Sequence, residues 1–258
     1  MSLPIFDAHF HIIDPRFPLI ANQGYLPPAF SASDYAQVRP ANVLAGAVVS
    51  GSFQAFDQSY LVDALEQLGP TYVGVTQLPH KVTDAEILEL DRRGVRAVRF
   101  NLHRGGSEGI DQLVYLAQRV HELAGWHVEF YADAFDLANV MPLLTTLPQI
   151  VVDHLGLSER GLPTLLNLVE AGAKVKATGF GRVTLELPAA LRAVAAIDPH
   201  ALIFGTDLPS TRAPRPFLSS DIELVLDTLG ERDGRRALYE NALALYRPRS
   251  LPVALPAE

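Results

Sequence analysis

The feature that most constrains this chain is the regular alternation of short apolar segments with longer amphipathic ones. Eight of the short segments have the composition of β-strands, and most of them are continuous apolar runs. Such runs are typical of parallel strands that are covered on both faces. The predicted strands cover residues 4–11, 44–51, 71–78, 97–102, 127–132, 150–156, 174–180 and 202–208.

The intervals between these strands have the spacing of amphipathic helices. At residues 57–68, for example, the apolar side chains recur every three or four positions and therefore share one face. Capping residues or glycines stand at several of the expected helix ends. Helices are predicted at residues 57–68, 84–93, 109–123, 136–145, 162–170, 188–196, 217–229 and 235–245.

Eight strands that alternate with eight helices predict an α/β fold, a single (β/α)8 TIM barrel with parallel strands. We expect the barrel to cover residues 1–247 and a proline-rich tail to cover residues 248–258. A doubly wound open sheet is the alternative, but no Gly-x-Gly-x-x-Gly turn follows the first strand. The long connection over residues 12–40 is expected to lie above the end of the first strand as a binding loop.

Composition excludes several classes of protein. Hydrophobic residues make up 48% of the 258 residues, which is too many for a disordered chain, and no apolar run is long enough to span a membrane. The formal net charge of −8 argues against a nucleic-acid-binding surface. Because the chain has no cysteine and no secretory signal pattern, we expect a cytoplasmic protein without disulfides. The oligomeric state stays open.

Four residues are predicted to form the site. In a TIM barrel the active site lies at the C-terminal ends of the strands. His9 and His11 end the first strand and point the same way because they are two residues apart. His154 ends the sixth strand and Asp207 ends the eighth. We therefore expect these four side chains to line one cavity at the mouth of the barrel.

The other histidines divide between the two ends of the barrel. His80 and His103 follow the third and fourth strands and should lie at the same rim as the predicted site. His127 begins the fifth strand and His200 precedes the eighth, so both are expected at the opposite end. His121 falls on an outer helix. The last three are excluded from the predicted site.

Three aspartates lie on these strands. Asp207 follows an apolar run, where burial would raise its pKa and suit it to take a proton from water or to bind a metal. Its alternative role is to cap the next helix. Asp7 is expected to point into the barrel one layer below His9, and Asp153 is expected to face the helices because it adjoins His154. We expect structural roles for Asp7 and Asp153.

Several arginines fall near the same rim. Arg99 is the most informative because it lies inside an apolar strand, where a buried guanidinium needs an anionic partner. That partner is either a substrate carboxylate or Glu129 on the adjacent strand. Arg104 and Arg182 follow strands four and seven, and Tyr131, late in strand five, would offer a hydroxyl. These residues predict a small anionic substrate.

Four motifs carry a family resemblance: FDAHFHI, GVRAVRFN, VVDHLG and FGTDLPS, on strands one, four, six and eight. They resemble the amidohydrolase-2 (amidohydrolase-related) family of the amidohydrolase superfamily, and within it the 2-pyrone-4,6-dicarboxylate lactonases. The resemblance implies a hydrolase in which His9 and His11 form the histidine pair, His154 polarises the scissile carbonyl and Asp207 activates water. The residues that it implies for binding substrate carboxylates are Arg99, Arg104, Tyr131 and Arg182.

The same resemblance bears on metal content. Members of the superfamily hold one or two divalent ions, whereas the lactonase branch acts without metal. Strand four offers Arg99 and Asn101 in place of a bridging lysine or glutamate, so a binuclear centre is not expected. His9, His11 and Asp207 suit a single zinc ion by ligand type, while an arginine in the same mouth repels a cation. We predict either no metal or one divalent ion, most simply zinc.

Three functions remain open at this point. The first is a hydrolase that cleaves a lactone or ester bond in a small carboxylated substrate with water activated by Asp207. The second is a metal-dependent decarboxylase of an aromatic or unsaturated acid, which needs a metal to bind substrate oxygens. The third is a barrel that binds a ligand without turning it over.

Overall fold

The computed structural model describes residues 3–252 and has eight parallel strands in one sheet. Each strand pairs with the next one along the chain, from β1 to β8. The strands are β1 (Ile5–Phe10), β2 (Val43–Val49), β3 (Tyr72–Thr76), β4 (Val95–Asn101), β5 (His127–Tyr131), β6 (Ile150–Val152), β7 (Lys174–Ala177) and β8 (Leu202–Phe204).

Helices lie between the strands and cover the outside of the sheet. The chain passes from each strand through helical segments to the next, as expected for repeated βα units. The helices are α1 (Ala32–Val38), α2 (Ser59–Leu68), α3 (Asp84–Arg93), α4 (Leu113–Ala124), α5 (Ala134–Leu137), α6 (Met141–Leu144), α7 (Leu162–Glu170), α8 (Leu187–Ile197), α9 (Ser220–Arg235) and α10 (Asn241–Tyr246).

The sheet closes on itself at the C-terminal ends of the strands. The amide of Asp207 donates to the carbonyl of His9 at 2.7 Å, and the amide of His11 donates to the carbonyl of Leu208 at 2.8 Å. At the other end, Tyr246 of α10 enters the barrel and its ring stacks on Phe6 at 5.4 Å between centroids. The predicted TIM barrel is therefore confirmed, and both of its ends are defined.

Strand side chains divide between two apolar layers. On β4, Ala97 lies in the barrel interior with Val73 and Val151, whereas Val98 and Phe100 pack in the larger cluster that the helices cover. Both layers are almost fully buried. This two-sided burial explains why the strands read as continuous apolar runs.

Two details differ from the expected element pattern. The connection over residues 12–40 contains α1, which begins with a capping box between Ser31 and Asp34. The helix expected at 136–145 is two short helices, α5 and α6, with Pro142 in the first turn of α6.

Among residues 3–252, no helix is both long and apolar enough to cross a membrane. The tail beyond residue 252 lies outside the described residues, and the boundary at 247 stays a prediction.

Candidate active site

The four predicted site residues meet at the mouth of the barrel. The ring of His9 lies 5.1 Å from that of His11 and 4.8 Å from that of His154, between centroids. Asp207 Oδ1 lies 4.0 Å from His9 Nε2 and 3.9 Å from His11 Nε2. All four residues are buried. The structure thus brings together the side chains that sequence reasoning placed at three separate strand ends.

A bulge in β1 sets the direction of the two histidines. Asp7 pairs with Gly46 of β2 and Phe10 pairs with Val48, so β1 has one residue more than β2 over this interval. Asp7 therefore points away from His9 and accepts hydrogen bonds from the amide and hydroxyl of Thr206 and from Tyr35. The expectation that Asp7 lies in the barrel one layer below His9 is wrong, because the bulge reverses the alternation.

His154 and Asp207 have backbone conformations that favour glycine. Their φ angles are 51° and 62°, in the left-handed region that most side chains avoid. Close packing surrounds both turns, since a Cβ on Gly179 would lie 2.5 Å from His154 Nδ1 and one on Gly205 would lie 2.6 Å from the amide of His9. Backbone strain of this kind is common at functional sites, where the surrounding structure holds the residue in place.

Asp153 belongs to the site, contrary to expectation. Its carboxylate lies in the barrel interior, 2.9 Å from Arg99 Nε and Nη2 and 3.5 Å from His9 Nδ1. Strand β6 ends at Val152, and the left-handed turn at His154 then directs two consecutive side chains inward. The prediction that Asp153 faces the helices is wrong, because strand alternation does not continue to His154.

Lys176 is the site residue that sequence reasoning missed. Its ammonium lies 2.5 Å from Glu129 Oε2, 3.4 Å from Asp153 Oδ1 and 3.3 Å from His9 Nδ1, with no exposed side-chain surface. Glu129 also accepts from Tyr246 and lies within 3.1 Å of His127. The available signal was a lysine between the apolar residues Val175 and Ala177, in the middle of a predicted strand. The expected pair between Arg99 and Glu129 is wrong, because Glu129 pairs with Lys176.

Four arginines line the open mouth, but only two of them have carboxylate partners among residues 3–252. Arg99 pairs with Asp153, and Arg182 donates to Asp207 Oδ2 at 2.6 Å. Arg212 contacts the side chain and backbone carbonyl of Asn22, and the side chain of Arg104 meets no carboxylate in the described chain. The mouth therefore has an excess of positive charge. Its lining residues are His11, Tyr25, Gly51, Ser52, Phe53, Arg99, Asn101, Arg104, Tyr131, His154, Arg182, Thr211 and Arg212.

The long connection before β2 covers this mouth. The amide of Ile20 donates to the carbonyl of Phe53 at 2.8 Å, and the side chain of Asn22 donates to the carbonyl of Arg104 at 3.1 Å. Tyr25 lines the mouth and packs under the guanidinium of Arg212 at 4.4 Å. This loop thus lies where the sequence predicted a binding loop.

Tyr131 and two further histidines lie at or near the mouth, and three histidines lie at the opposite end of the barrel. The ring of Tyr131 contacts His154 at 4.9 Å and His103 at 5.0 Å between centroids, so His103 lies at the edge of the mouth. His80 pairs with Glu108 at the partly exposed rim, 2.9 Å apart. A separate cavity at the opposite end of the barrel is lined in part by His121, His127 and His200.

Burial and charge set the protonation of the site. Burial, reinforced by Arg99, lowers the pKa of His11 to about 3. Burial also holds the pKa of His9 and of His154 well below the ordinary range. Burial raises the pKa of Asp207, although Arg182 opposes the shift. These directions give neutral imidazoles around a carboxylate that binds a proton more readily than usual.

The residue types of the site match those that ligate a divalent ion. His9, His11 and Asp207 offer ligand atoms within 4.8 Å of one another, and so do His9, Asp153 and His154. Within residues 3–252, His9 Nε2 and Asp207 Oδ1 are buried without a hydrogen-bond partner. His11 Nδ1 lies 2.7 Å from the carbonyl of Val49, which can only accept, so the proton is on Nδ1 and Nε2 is free.

Comparison with known proteins gives consistent results. The amidohydrolase family model matches residues 6–247. A 2-pyrone-4,6-dicarboxylate hydrolase of Comamonas testosteroni is 35% identical over 156 residues, 58% of this chain but only about half (51%) of that protein. A 4-sulfomuconolactone hydrolase of Rhizobium radiobacter is 28% identical over 238 residues, which are 79% of this chain and 75% of that protein.

A solved structure agrees over the whole barrel. It is that of a Pseudomonas putida protein described as a candidate 2-pyrone-4,6-dicarboxylic acid hydrolase, and it superposes with a TM-score of 0.79. It is 27% identical in sequence and covers 96% of this chain and 98% of its own. The predicted family resemblance is thereby confirmed.

Proposed function

The chain belongs to the amidohydrolase family, and on that premise we propose that it hydrolyses a lactone or ester bond in a small carboxylated substrate. The observation that carries the proposal is the buried Asp207 Oδ1, which has no hydrogen-bond partner among the residues that the structure describes and faces His9 and His11. The named relatives at 35% and 28% identity are hydrolases, one of a pyrone dicarboxylate and one of a sulfonated lactone.

The geometry at Asp207 suits the activation of water. Its Oδ1 and His11 Nε2 both accept hydrogen bonds, and they lie 3.9 Å apart, too far for a direct bond. A water molecule can donate one proton to each of them. Because burial raises the pKa of Asp207, the carboxylate is a better base for that water than an exposed aspartate.

The carbonyl to be attacked would meet the positive charge of Arg182, which lies beside Asp207. His154 lies against His9, and Arg182 is held in place by its bond to Asp207. We propose that the guanidinium of Arg182 stabilises the negative charge that develops on the carbonyl oxygen, and that the neutral ring of His154 positions this carbonyl. Asp207 would then return the proton to the leaving oxygen as the ring opens.

One divalent ion, with zinc as the first expectation, would be held by His9, His11 and Asp207. When bound, such an ion lowers the pKa of its water and polarises the carbonyl. None of the proton transfers assigned above to Asp207 depends on it.

The excess of positive charge at the mouth supports an anionic substrate. Arg104 and Arg212 have no carboxylate partner among residues 3–252, and both line the mouth. Arg99 and Tyr131 lie deeper, with the guanidinium of Arg99 5.1 Å from the ring centre of Tyr131. We propose that Arg104, with Arg99, Arg182 and Tyr131, binds the carboxylates of the substrate.

The function is tested by assaying lactones and esters with and without carboxylates in a pH-stat, before and after chelation of metals. We expect one proton to be released for each bond cleaved, because hydrolysis forms a carboxylic acid that ionises at neutral pH. Carbon dioxide release with loss of activity after chelation would instead indicate the decarboxylase. Binding without either product would indicate a ligand-binding barrel.

Replacement of Arg104 tests the substrate charge. In Arg104→Met we expect KM for carboxylated lactones to rise about 10-fold to 100-fold, with little change for neutral ones, since one charge-assisted hydrogen bond is lost. Arg160→Met is the matched control, because Arg160 is exposed, pairs with Asp133 and is not among the residues that line the mouth. Equal losses on charged and neutral substrates would remove Arg104 from substrate binding.

A further inference from the structure

A fully buried lysine lies directly beneath the histidines, and the proposed function does not use it. Lys176 projects from β7 into the barrel and contacts Glu129, Asp153 and His9. Burial of an ammonium group is costly unless carboxylates surround it. Lys176 therefore places a buried positive charge in contact with His9.

The ammonium of Lys176 determines which ring nitrogen of His9 carries the proton. His9 Nδ1 lies 3.3 Å from this ammonium, which can only donate, and 3.5 Å from Asp153 Oδ1, which can only accept. Because only the contact with Lys176 has hydrogen-bond geometry, we assign Nδ1 as its acceptor. The proton of the neutral His9 ring is then on Nε2, the atom that faces Asp207 at 4.0 Å. A histidine that binds metal usually has the opposite arrangement, in which Nδ1 donates to an acceptor and Nε2 is free. His11 has that arrangement with Val49, and His9 does not.

The charges of the site balance without a metal ion. Three buried carboxylates, Glu129, Asp153 and Asp207, face three cations. Lys176 pairs with Glu129, Arg99 with Asp153, and Arg182 with Asp207. A divalent ion at the histidines would therefore enter a neutral site with an ammonium group in contact with one of its ligands. In a buried site such repulsion is poorly screened.

We propose that Lys176 supplies the positive charge that a divalent ion would otherwise bring to His9 and Asp153, and that it keeps the affinity of the site for such ions low. The proposal rests on the proposed function only for the location of the site. It assigns to Lys176 a positioning role, since Lys176 acts on the tautomer of His9 and on the charge of the site.

The test is equilibrium dialysis of the chelator-treated protein against Zn²⁺. In Lys176→Met we expect zinc to bind at least ~100-fold more tightly than in the wild type, because one buried like charge is removed. Thermal unfolding should show the same difference, with zinc raising the Tm of the variant more than that of the wild type. Lys174→Met is the control, because Lys174 lies on the same strand and pairs with Asp198 away from the site.

A double variant distinguishes two causes of tighter zinc binding, the loss of the lysine charge and the extra space left by the smaller side chain. Glu129→Gln combined with Lys176→Met restores the neutral balance while keeping the smaller charge-free side chain. We expect zinc affinity to return toward that of the wild type. Equally tight binding in the single and double variants would mean that space, and not charge, limits metal binding, and the proposal would be wrong.

Two further outcomes would overturn the proposal. One is stoichiometric zinc that stays in the wild type through chelator dialysis. The other is Lys176→Met protein that fails to fold both with and without zinc, since the ion should replace the missing charge. Folding that depends on zinc would support the proposal. None of these measurements uses turnover, so a failure to hydrolyse any lactone would count against the proposed function alone.

Discussion

Asp207→Asn is expected to lower kcat by about 10²-fold to 10⁴-fold, the contribution typical of a positioned general base. The amide retains the shape of the carboxylate but cannot take a proton from water. Asparagine also tolerates the left-handed backbone that residue 207 adopts, so the turn after β8 should form normally. The measurement is single-turnover and steady-state hydrolysis of the best lactone found by the pH-stat screen.

The fold of this variant should survive. Arg182 loses its carboxylate partner, but the amide oxygen at position 207 can still accept its hydrogen bond. Burial raises the pKa of Asp207, whereas Asp153 faces both Arg99 and Lys176 and has a lowered pKa, so we expect a smaller loss of stability here than at Asp153. Asp198→Asn is the matched control, because Asp198 pairs with Lys174 at the other end of the barrel. Unchanged kcat in Asp207→Asn would remove Asp207 from the mechanism.

The barrel and the central residues of the site could be predicted from the sequence for a physical reason. Strands buried on both faces read as continuous apolar runs, and polar residues at their ends stand out against that background. His9, His11 and Asp207 each follow or end such a run, so the barrel topology alone brings them together.

The charged layer beneath the histidines could not be predicted in the same way. The direction of Asp7 depends on a bulge in β1, and that of Asp153 depends on a left-handed turn at His154. Neither irregularity changes the residue spacing in the sequence. Strict alternation therefore assigned both aspartates to the wrong side of the sheet.

The prediction that Glu129 is the protein partner of Arg99 was wrong for a related reason. The strand register does place Arg99 beside Glu129. However, Lys176 reaches Glu129 from β7 on the other side, and the guanidinium of Arg99 extends instead to Asp153. Side chains inside a barrel meet across several strands, so adjacency on neighbouring strands does not decide which charges pair.

Asp153→Asn is expected to lower the free energy of unfolding by about 3–5 kcal/mol, the cost of removing one partner from a buried ion pair. Asp153 has no exposed side-chain surface, and its carboxylate neutralises Arg99 while also facing Lys176. Without this carboxylate, the charge of Arg99 faces only neutral acceptors among residues 3–252, the carbonyl of Ser50 and the amide oxygen at position 153. Urea denaturation followed by circular dichroism measures the change.

A second substitution should reverse part of this loss. When Arg99→Met is added to Asp153→Asn, no uncompensated guanidinium stays buried, so the double variant should be more stable than Asp153→Asn alone. Arg99→Met combined with Glu129→Gln should show no such recovery relative to Arg99→Met, because Glu129 serves Lys176. Asp63→Asn, which affects a largely exposed pair with Arg16, should change stability by less than about 1 kcal/mol. Recovery with Glu129→Gln and none with Asp153→Asn would show that Arg99 pairs with Glu129 in solution, and the charge balance around Lys176 would then have to be redrawn.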